Sequence, residues 1–531
     1  MLTRLFSSLL ICAMPLFAQD NVDLTVLNHI KAEAFQNSQA MDHLFYISDV
    51  YGPRLTNSPG HRQAAEWALK RLQGYGLQNV KLEKWGPFGQ SWQLKFFSAH
   101  LMEPQYMPLI GVPLAWTPGT NGVVTAEPVM AVIKTEDDFA KYKGKLRGKV
   151  VLTMAPKEIE MITEPMAHRL TNEELLARET VVDPSRLGLG FGGGRRGVAA
   201  APIPTPEERA AAAKFRVKTQ QFLKEEGAVV VLEYGFNGDG GTVFATSGGS
   251  RDPKDPTPLP TVALTPEHYN RIARLVDHNI PVKLQFDIQA QFLKDNPDSF
   301  NIVGEIPGTT KADELVMLGG HFDSWHGATG ATDNGTGSSV AIEAVRILTA
   351  LHLPMARTVR IALWGGEEEG LLGSIAYVQE HFARRDTMVL GPEYSKLSAY
   401  YNDDNGTGRF RGINLGGNEM CAPIFESWLT PLKDLEATTV AGRTGALPKQ
   451  PGGTDSTSFS WIGLPGFGFM QDPMEYSTRT HHSNMDFYDR VQKGDLMQSS
   501  AIMAWFVYNT ATRSEMMPRM TMPKPAKKES L

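Results

Sequence analysis

Five residues with metal-binding side chains stand where loops follow apolar runs: His321, Asp333, Glu368, Asp404 and His482. Imidazole and carboxylate donors of this kind hold divalent ions, typically zinc, through nitrogen and oxygen. Three donors for each of two ions, with one carboxylate shared, leave a position open for water, as a catalytic site needs. Glu367 adjoins Glu368, and neighbours on a turn point in different directions. One can therefore bind metal while the other takes a proton from water and passes it to a leaving amine. Singly, such residues read as an acidic turn before a helix, where carboxylates suit the dipole, and Glu369 is read that way, as solvated. Five donors of three types at successive loop positions are harder to read as surface.

The elements that must deliver these side chains follow from apolar patterning. Leu315-Val316-Met317-Leu318 runs into Gly319-Gly320-His321, which predicts a strand covered on both faces and ending at the histidine. After Asp333, Val340, Ala344, Ile347, Leu348 and Leu351 recur at helical spacing. A strand over 359–363 leads to Trp364-Gly365-Gly366-Glu367-Glu368-Glu369-Gly370 and then to a helix through about 385. A strand over 397–402 runs into Asp403-Asp404-Asn405-Gly406. A helix over 422–435, a strand over 465–470 and a helix over 493–512 complete the pattern. Alternating strands and helices predict a doubly wound mixed α/β sheet with its ligands at the carboxyl ends of the strands.

Upstream, 22–50 reads as helical, 59–73 as a helix opened by Asn57-Ser58-Pro59-Gly60, and 80–85 as a strand. From about 110 the texture changes to short strands and Gly/Pro turns. This predicts a smaller α+β domain over 110–290, inserted between a first part (20–109) and a second part (291–512) of the main domain. Within it, the Gly/Ala/Pro-rich run 188–213, with Gly192-Gly193-Gly194-Arg195-Arg196, reads as a loop too poor in apolar residues to order itself. A flap over a nearby cleft is the functional alternative. The Met/Pro/Lys-rich tail, 513–531, is predicted disordered.

At 531 residues the chain is long enough for two or three domains. A net charge of −6 without long runs of one sign gives no footprint for nucleic acid. Residues 1–19 read as a secretory signal: Arg4, an apolar stretch over 5–17, and Leu16-Phe17-Ala18 as cleavage site. Beyond it no stretch has the length of a membrane span, so a soluble, secreted or periplasmic protein is expected. Of two cysteines, Cys12 leaves with the signal, so no intrachain disulfide is expected and the fold must rest on its core or on metal. Cys421 reads as a small packing residue.

The motifs Gly320-His321-Phe322-Asp323-Ser324, Thr332-Asp333-Asn334-Gly335, Trp364-Gly365-Gly366-Glu367-Glu368, Asn402-Asp403-Asp404 and His482-Ser483-Asn484-Met485-Asp486 together resemble metallopeptidases of family M28. These are the zinc aminopeptidases and the glutamate carboxypeptidase-like members. The resemblance covers about 30–105 and 296–512, and 110–290 resembles a protease-associated domain. It implies one zinc on His321, Asp333 and Asp404 and a second on Asp333, Glu368 and His482, with Asp333 bridging. It further implies Glu367 as general base and then general acid, Asp323 as the residue orienting His321, and a cis peptide after Asp333. His481 stands where many members carry a tyrosine that helps hold the oxyanion, so it is read as an oxyanion donor or a loop residue. Asp404 is preferred to Asp403 on alignment, and Asp403 is read as solvated.

The expected reaction is hydrolysis of terminal peptide bonds in peptide substrates, with aminopeptidase favoured and carboxypeptidase or dipeptidase as alternative. Glu369 or Glu475 could meet a substrate amine, and Arg409, Arg411 or Arg479 a substrate carboxylate. Two rivals lie outside this class: a non-catalytic binding ectodomain like that of the transferrin receptor, and a single-zinc acyl transferase like glutaminyl cyclase. The complete ligand set and Glu367 argue against the first, and metal stoichiometry separates the second. The oligomeric state is not legible.

Overall fold

The apolar run ahead of His321 forms the strand Lys311–His321, with Leu315, Val316, Met317 and Leu318 all buried in the computed structural model. Residues 22–180, 206–235, 237–444 and 453–526 are described; the segment read as a signal, 1–19, and 188–205 of the glycine-rich run lie outside them. This strand is central to an eight-stranded sheet. The order is Gln78–Trp85, Ser299–Ile306, Arg357–Trp364, Lys311–His321, Leu397–Asn402, Gly466–Gln471, Phe410–Asn414, Thr439–Ala441. The four strands from Arg357–Trp364 to Gly466–Gln471 run parallel, and antiparallel pairs join them on either side. From Lys311–His321 the chain crosses first to Arg357–Trp364 on one side and then to Leu397–Asn402 on the other. That reversal opens a crevice at the strand's carboxyl end, where open α/β sheets hold ligands.

Burial on both faces explains the near-continuous apolar runs. On one face the helices Thr336–Ala350 and Lys493–Thr512 pack with Leu24–Gln36 over Val316, Leu318, Ile361 and Tyr401. On the other, Trp364, Tyr377, Phe382, Tyr400 and Phe459 close over Met317 and Ala362. In Thr336–Ala350 every residue from Thr336 to Leu348 is buried, because the helix is wedged between the sheet and other helices. Truncating one fully buried leucine of this core, such as Leu318→Ala, costs about 2–5 kcal/mol.

Two further sheets interrupt the main one. Ser91–Glu103 pairs antiparallel with Lys283–Leu293 in a four-stranded sheet, and Val150–Leu152, Val230–Tyr234 and Thr261–Leu264 lie within a five-stranded one. The excursion therefore begins at Ser91, ahead of the expected 110, because the partner of Ser91–Glu103 lies some 190 positions downstream.

The tail departs from expectation more sharply. Over 513–526 it is anchored rather than disordered: Met517 is 2% exposed and its N–H donates to Ser398 Oγ at 3.1 Å. The Arg519 guanidinium donates to the carbonyls of Tyr394 and Ser395 at 2.8 and 3.1 Å. Two anchoring side chains in a polar setting leave no periodic signal in sequence.

Candidate metal centre

His321 is the last residue of its strand and is buried. Its Nδ1–H donates to the Asp323 carbonyl at 3.1 Å, which leaves the Nε2 lone pair facing the crevice. There Nε2 lies 3.3 Å from Asp404 Oδ1 and 3.2 Å from Asp333 Oδ1. The other Asp333 oxygen lies 3.2 Å from His482 Nε2, which in turn lies 2.9 Å from Glu368 Oε2. All five expected donors converge, in two sets that meet at Asp333. Separations of 2.9–3.3 Å match the edges, about 3.3 Å, of a tetrahedron with metal bonds of about 2.0–2.1 Å. Asp333 Oδ2 is also buried without a hydrogen-bond partner, so the residues present fit a pair of divalent cations.

The electrostatics follow from that crowding. Burial pulls the His321 pKa down, but Asp404, Glu367 and Asp333 outweigh it and hold it well above the usual value. Burial likewise opposes, and Glu368 and Asp333 outweigh, in His482, whose pKa is also held well above the usual value. Burial would raise Asp333, yet the imidazoles of His321 and His482 hold it well below the carboxylate range. Burial, with Asp333 beside it, pushes Glu368 up to about 7. Glu367, whose Oε2 is 3.9 Å from His321 Nε2, is pushed well above its ordinary range by burial. That direction suits a group exchanging a proton near neutral pH.

The supports are as specific as the ligands. The Asp323 carboxylate accepts the N–H groups of Glu367 and Glu368 at 3.2 and 3.3 Å and the Thr56 hydroxyl at 2.8 Å. It thereby holds the turn that carries both glutamates, while its main-chain carbonyl, rather than its carboxylate, orients His321. Gly366 precedes that turn at φ +77, where a Cβ would meet the Trp85 ring at 2.9 Å. Asp486 accepts the N–H groups of Thr332 and Asp333 at 2.6 and 3.1 Å and so fixes the shared ligand. The Asn334 side chain donates to the Asp403 carbonyl at 2.8 Å, joining two ligand loops, and the Asp333–Asn334 peptide is cis as expected. Beneath them Arg54 is fully buried and donates to the carbonyls of Ile47, Phe322, Thr329 and Gly330. Burial draws its pKa down to about 10, leaving a cation under the carboxylates at neutral pH.

Two readings of acidic neighbours are corrected. Asp403, expected to be solvated, is 1% exposed, and burial together with Asp404 pushes its pKa well above the carboxylate range. Glu369, also expected to be solvated, has both carboxylate oxygens buried, and burial and then Asp323 raise it. In each case the side chain turns into the protein from a loop, which adjacency in sequence does not reveal. His481 Nε2 lies 3.7 Å from Asp333 Oδ2, and burial lowers its pKa to about 4, so the ring is neutral. Of the residues considered for substrate termini, Glu475 pairs with Arg490, Arg409 with Glu436 and Asp495, and Arg411 with Asp472. Arg479 makes no ion pair among the described residues.

Two residues escaped the sequence reading. The Tyr476 hydroxyl donates to Asp333 Oδ1 at 3.0 Å and its ring lies 4.6 Å from that of His481. Asp455 is fully buried beside the site in a Gly/Thr/Ser-rich stretch, and burial pushes its pKa up to about 8. Tyr476 is not a metal-donor type and Asp455 follows no strand expected from the sequence, so neither carried the signal that found the others. The inserted region also reaches the site: the Ala245 N–H donates to the His482 carbonyl at 2.9 Å, and that of Asn484 to the Val243 carbonyl at 3.0 Å.

Residues 301–507 match the family model for Peptidase family M28. Carboxypeptidase Q of Mus musculus is 25% identical over 502 residues, covering 94% of this chain and 91% of its own. Among solved structures, the peptidase M28 precursor from Shewanella amazonensis has a TM-score of 0.65 at 22% identity, over 94% of this chain and 98% of that one. BSAP, a zinc aminopeptidase from Bacillus subtilis, has a TM-score of 0.55 at 17% identity, over 90% and 96% of the two chains. The mixed α/β fold is that of M28 peptidases. Residues 301–507, which carry all five donors and Glu367, thus match peptidase family M28, and the resemblance to its members supports a metallo-exopeptidase.

Proposed function

We propose that the protein is a di-zinc aminopeptidase, with His321, Asp333 and Asp404 holding one ion and Asp333, Glu368 and His482 the other. The observation that carries this reading is Asp333, with one oxygen 3.2 Å from His321 Nε2 and the other 3.2 Å from His482 Nε2. When bound, the two ions supply Lewis acidity, polarising the scissile carbonyl and lowering the pKa of water. Glu367 takes the proton from that water and delivers it to the leaving amine, its position set by Asp323. Tyr476 O–H, with the neutral His481 beside it, offers a donor to the carbonyl oxygen as charge develops there. Removing Glu367 as Glu367→Ala is expected to leave metal content intact and to lower kcat by about 10²–10⁴. Near-normal turnover in that variant would remove Glu367 from the mechanism.

The amino-terminal preference rests on charge. The rim and floor of the site are rich in carboxylates, and two of the three candidate arginines are engaged elsewhere, Arg411 by Asp472 and Arg409 by Glu436 and Asp495. Such a site favours a substrate ammonium over a carboxylate. Carboxypeptidase activity is the second reading, favoured by Arg479 within Tyr476–Thr480, which makes no ion pair among the described residues. Aminoacyl reporters against N-acetylated peptides, each with and without chelator, decide between them: chelator-sensitive cleavage of the unblocked series alone supports the first. The reading includes export directed by residues 1–19 and a protease-associated character for the inserted region; no helix among the described residues is long and apolar enough to cross a membrane.

A further inference from the structure

Among the five donors only His482 has its main chain in the left-handed region, at φ +60. A residue with a side chain keeps that conformation only where its surroundings hold it. Here the inserted region does so. The Ala245 N–H donates to the His482 carbonyl at 2.9 Å and the Asn484 N–H to the Val243 carbonyl at 3.0 Å, so the two segments pair antiparallel about Phe244 and Ser483. The Asn484 side chain doubles this clasp. Its oxygen accepts the Val243 N–H at 2.7 Å, and its amide donates to the Gly241 carbonyl at 3.1 Å.

Glu368 depends on the same region through Trp325. The Trp325 N–H donates to Glu368 Oε1 at 3.3 Å, and its ring stands edge-on to that of His482 at 6.1 Å. That ring also meets Trp116 of the inserted region edge-on, at 6.0 Å. The next residue, His326, donates from its ring to the Pro113 carbonyl at 2.6 Å and packs on Trp92 at 4.9 Å. Trp92 and Trp116 are both buried, and edge-to-face pairs at these separations are attractive as well as directional. The loop that touches both ligands therefore takes its position from the inserted region. His321 and Asp404 are held differently. The His321 carbonyl accepts the Ser338 hydroxyl at 2.7 Å, and the Asp403 N–H donates to the Gly319 carbonyl at 3.0 Å, all within the family-matched segment.

We propose that the inserted region positions the ligands of one ion, Glu368 and His482, and through them sets how tightly that ion is held. The proposal rests on the two-ion reading. Two backgrounds separate the ions: Asp404→Ala keeps the Glu368–His482 site, and Glu368→Ala keeps the His321–Asp404 site. Asn484→Ala, which removes both side-chain bonds of the clasp, is placed in each, and zinc affinity of the full chain is measured by chelator competition. Affinity falls about tenfold or more in the Asp404→Ala background, as when a support behind a ligand is lost, and stays within about twofold in the Glu368→Ala background. Trp116→Leu, which removes the ring that meets Trp325, gives the same pattern, and it decides the matter if the Asn484→Ala chain does not fold. Melting temperature is recorded for every variant, since general loosening of the fold weakens both sites alike. Equal losses in the two backgrounds, or no loss in either, overturn the proposal. Wild-type enzyme that holds a single zinc overturns the two-ion reading instead; the substitutions are then read on that ion, and an unchanged affinity overturns the proposal as well.

Discussion

Asp333 meets an imidazole with each oxygen, and the residues around it keep it there. Its N–H is held by Asp486, and the turn opposite, carrying Glu367 and Glu368, is held by Asp323. Such supports orient ligands rather than bind metal, so removing one weakens binding without abolishing the site. Asp323→Asn, which keeps one acceptor oxygen but sets an NH2 group against the N–H of Glu367 or of Glu368, is expected to lower metal affinity about 10–100-fold in chelator competition, with zinc still bound at saturation. Unchanged affinity would make Asp323 a bystander. At this scale the sequence was informative where metal-donor side chains stand in the segments that follow apolar strands: His321 ends its strand, Glu368 and Asp404 lie a few residues beyond theirs, and Asp333 and His482 lie farther along the segments that follow. It misjudged Asp403 and Glu369, because burial of a loop carboxylate is decided by what folds over it. Asp455 was invisible for the same reason, and Tyr476 because its type does not mark it as a metal donor.

Among elements, the helix Leu372–His381 shows how a polar network docks secondary structure. His381 Nε2 lies 2.6 Å from Glu83 on Gln78–Trp85, and Nδ1 lies 3.2 Å from Glu393. Burial lowers the His381 pKa, but Glu393 and Glu83 outweigh it and raise it to about 9, against 6.5 for a free imidazole. A folded-state pKa above the unfolded one means that the contribution is fully present below about pH 6.5 and is lost as pH rises through about 9. His381→Gln should therefore lower Tm at pH 6 and leave it closer to wild type at pH 9.5, as followed by thermal melts across that range. An equal deficit at both ends would show that the charge of His381 does not matter. Long parallel strands and the helices between them were legible because apolar runs and 3.6-residue periodicity are local signals. Ser91–Glu103 was not, since its partner Lys283–Leu293 lies in a remote part of the chain.

In the whole molecule, segments far from the ligand loops complete the site. The inserted region pairs with the His482 loop through Val243 and Ala245 and builds one wall of a cavity beside Tyr476 through 165–170. Composition marks a change of texture from about residue 110, whereas the contacts of this region with the crevice depend on long-range packing that no local pattern encodes. The carboxyl-terminal segment is similar: Met517 and Arg519 dock where the sequence read only a polar tail. Ending the chain at Thr512 exposes the Ser398 and Tyr394 surface and loses about 2–3 kcal/mol from Met517 alone, so Tm should fall by several degrees in scanning calorimetry. An unchanged Tm would mean that the segment adds nothing to the fold. The claim on which the rest depends is that five donors form two sites sharing one carboxylate, and metal analysis of purified variants tests it most directly. Two zinc ions per chain are expected in the wild type, about one in Asp404→Ala and in Glu368→Ala, and a loss at both sites in Asp333→Ala. A single ion per chain, or two retained in folded Asp333→Ala, would contradict it.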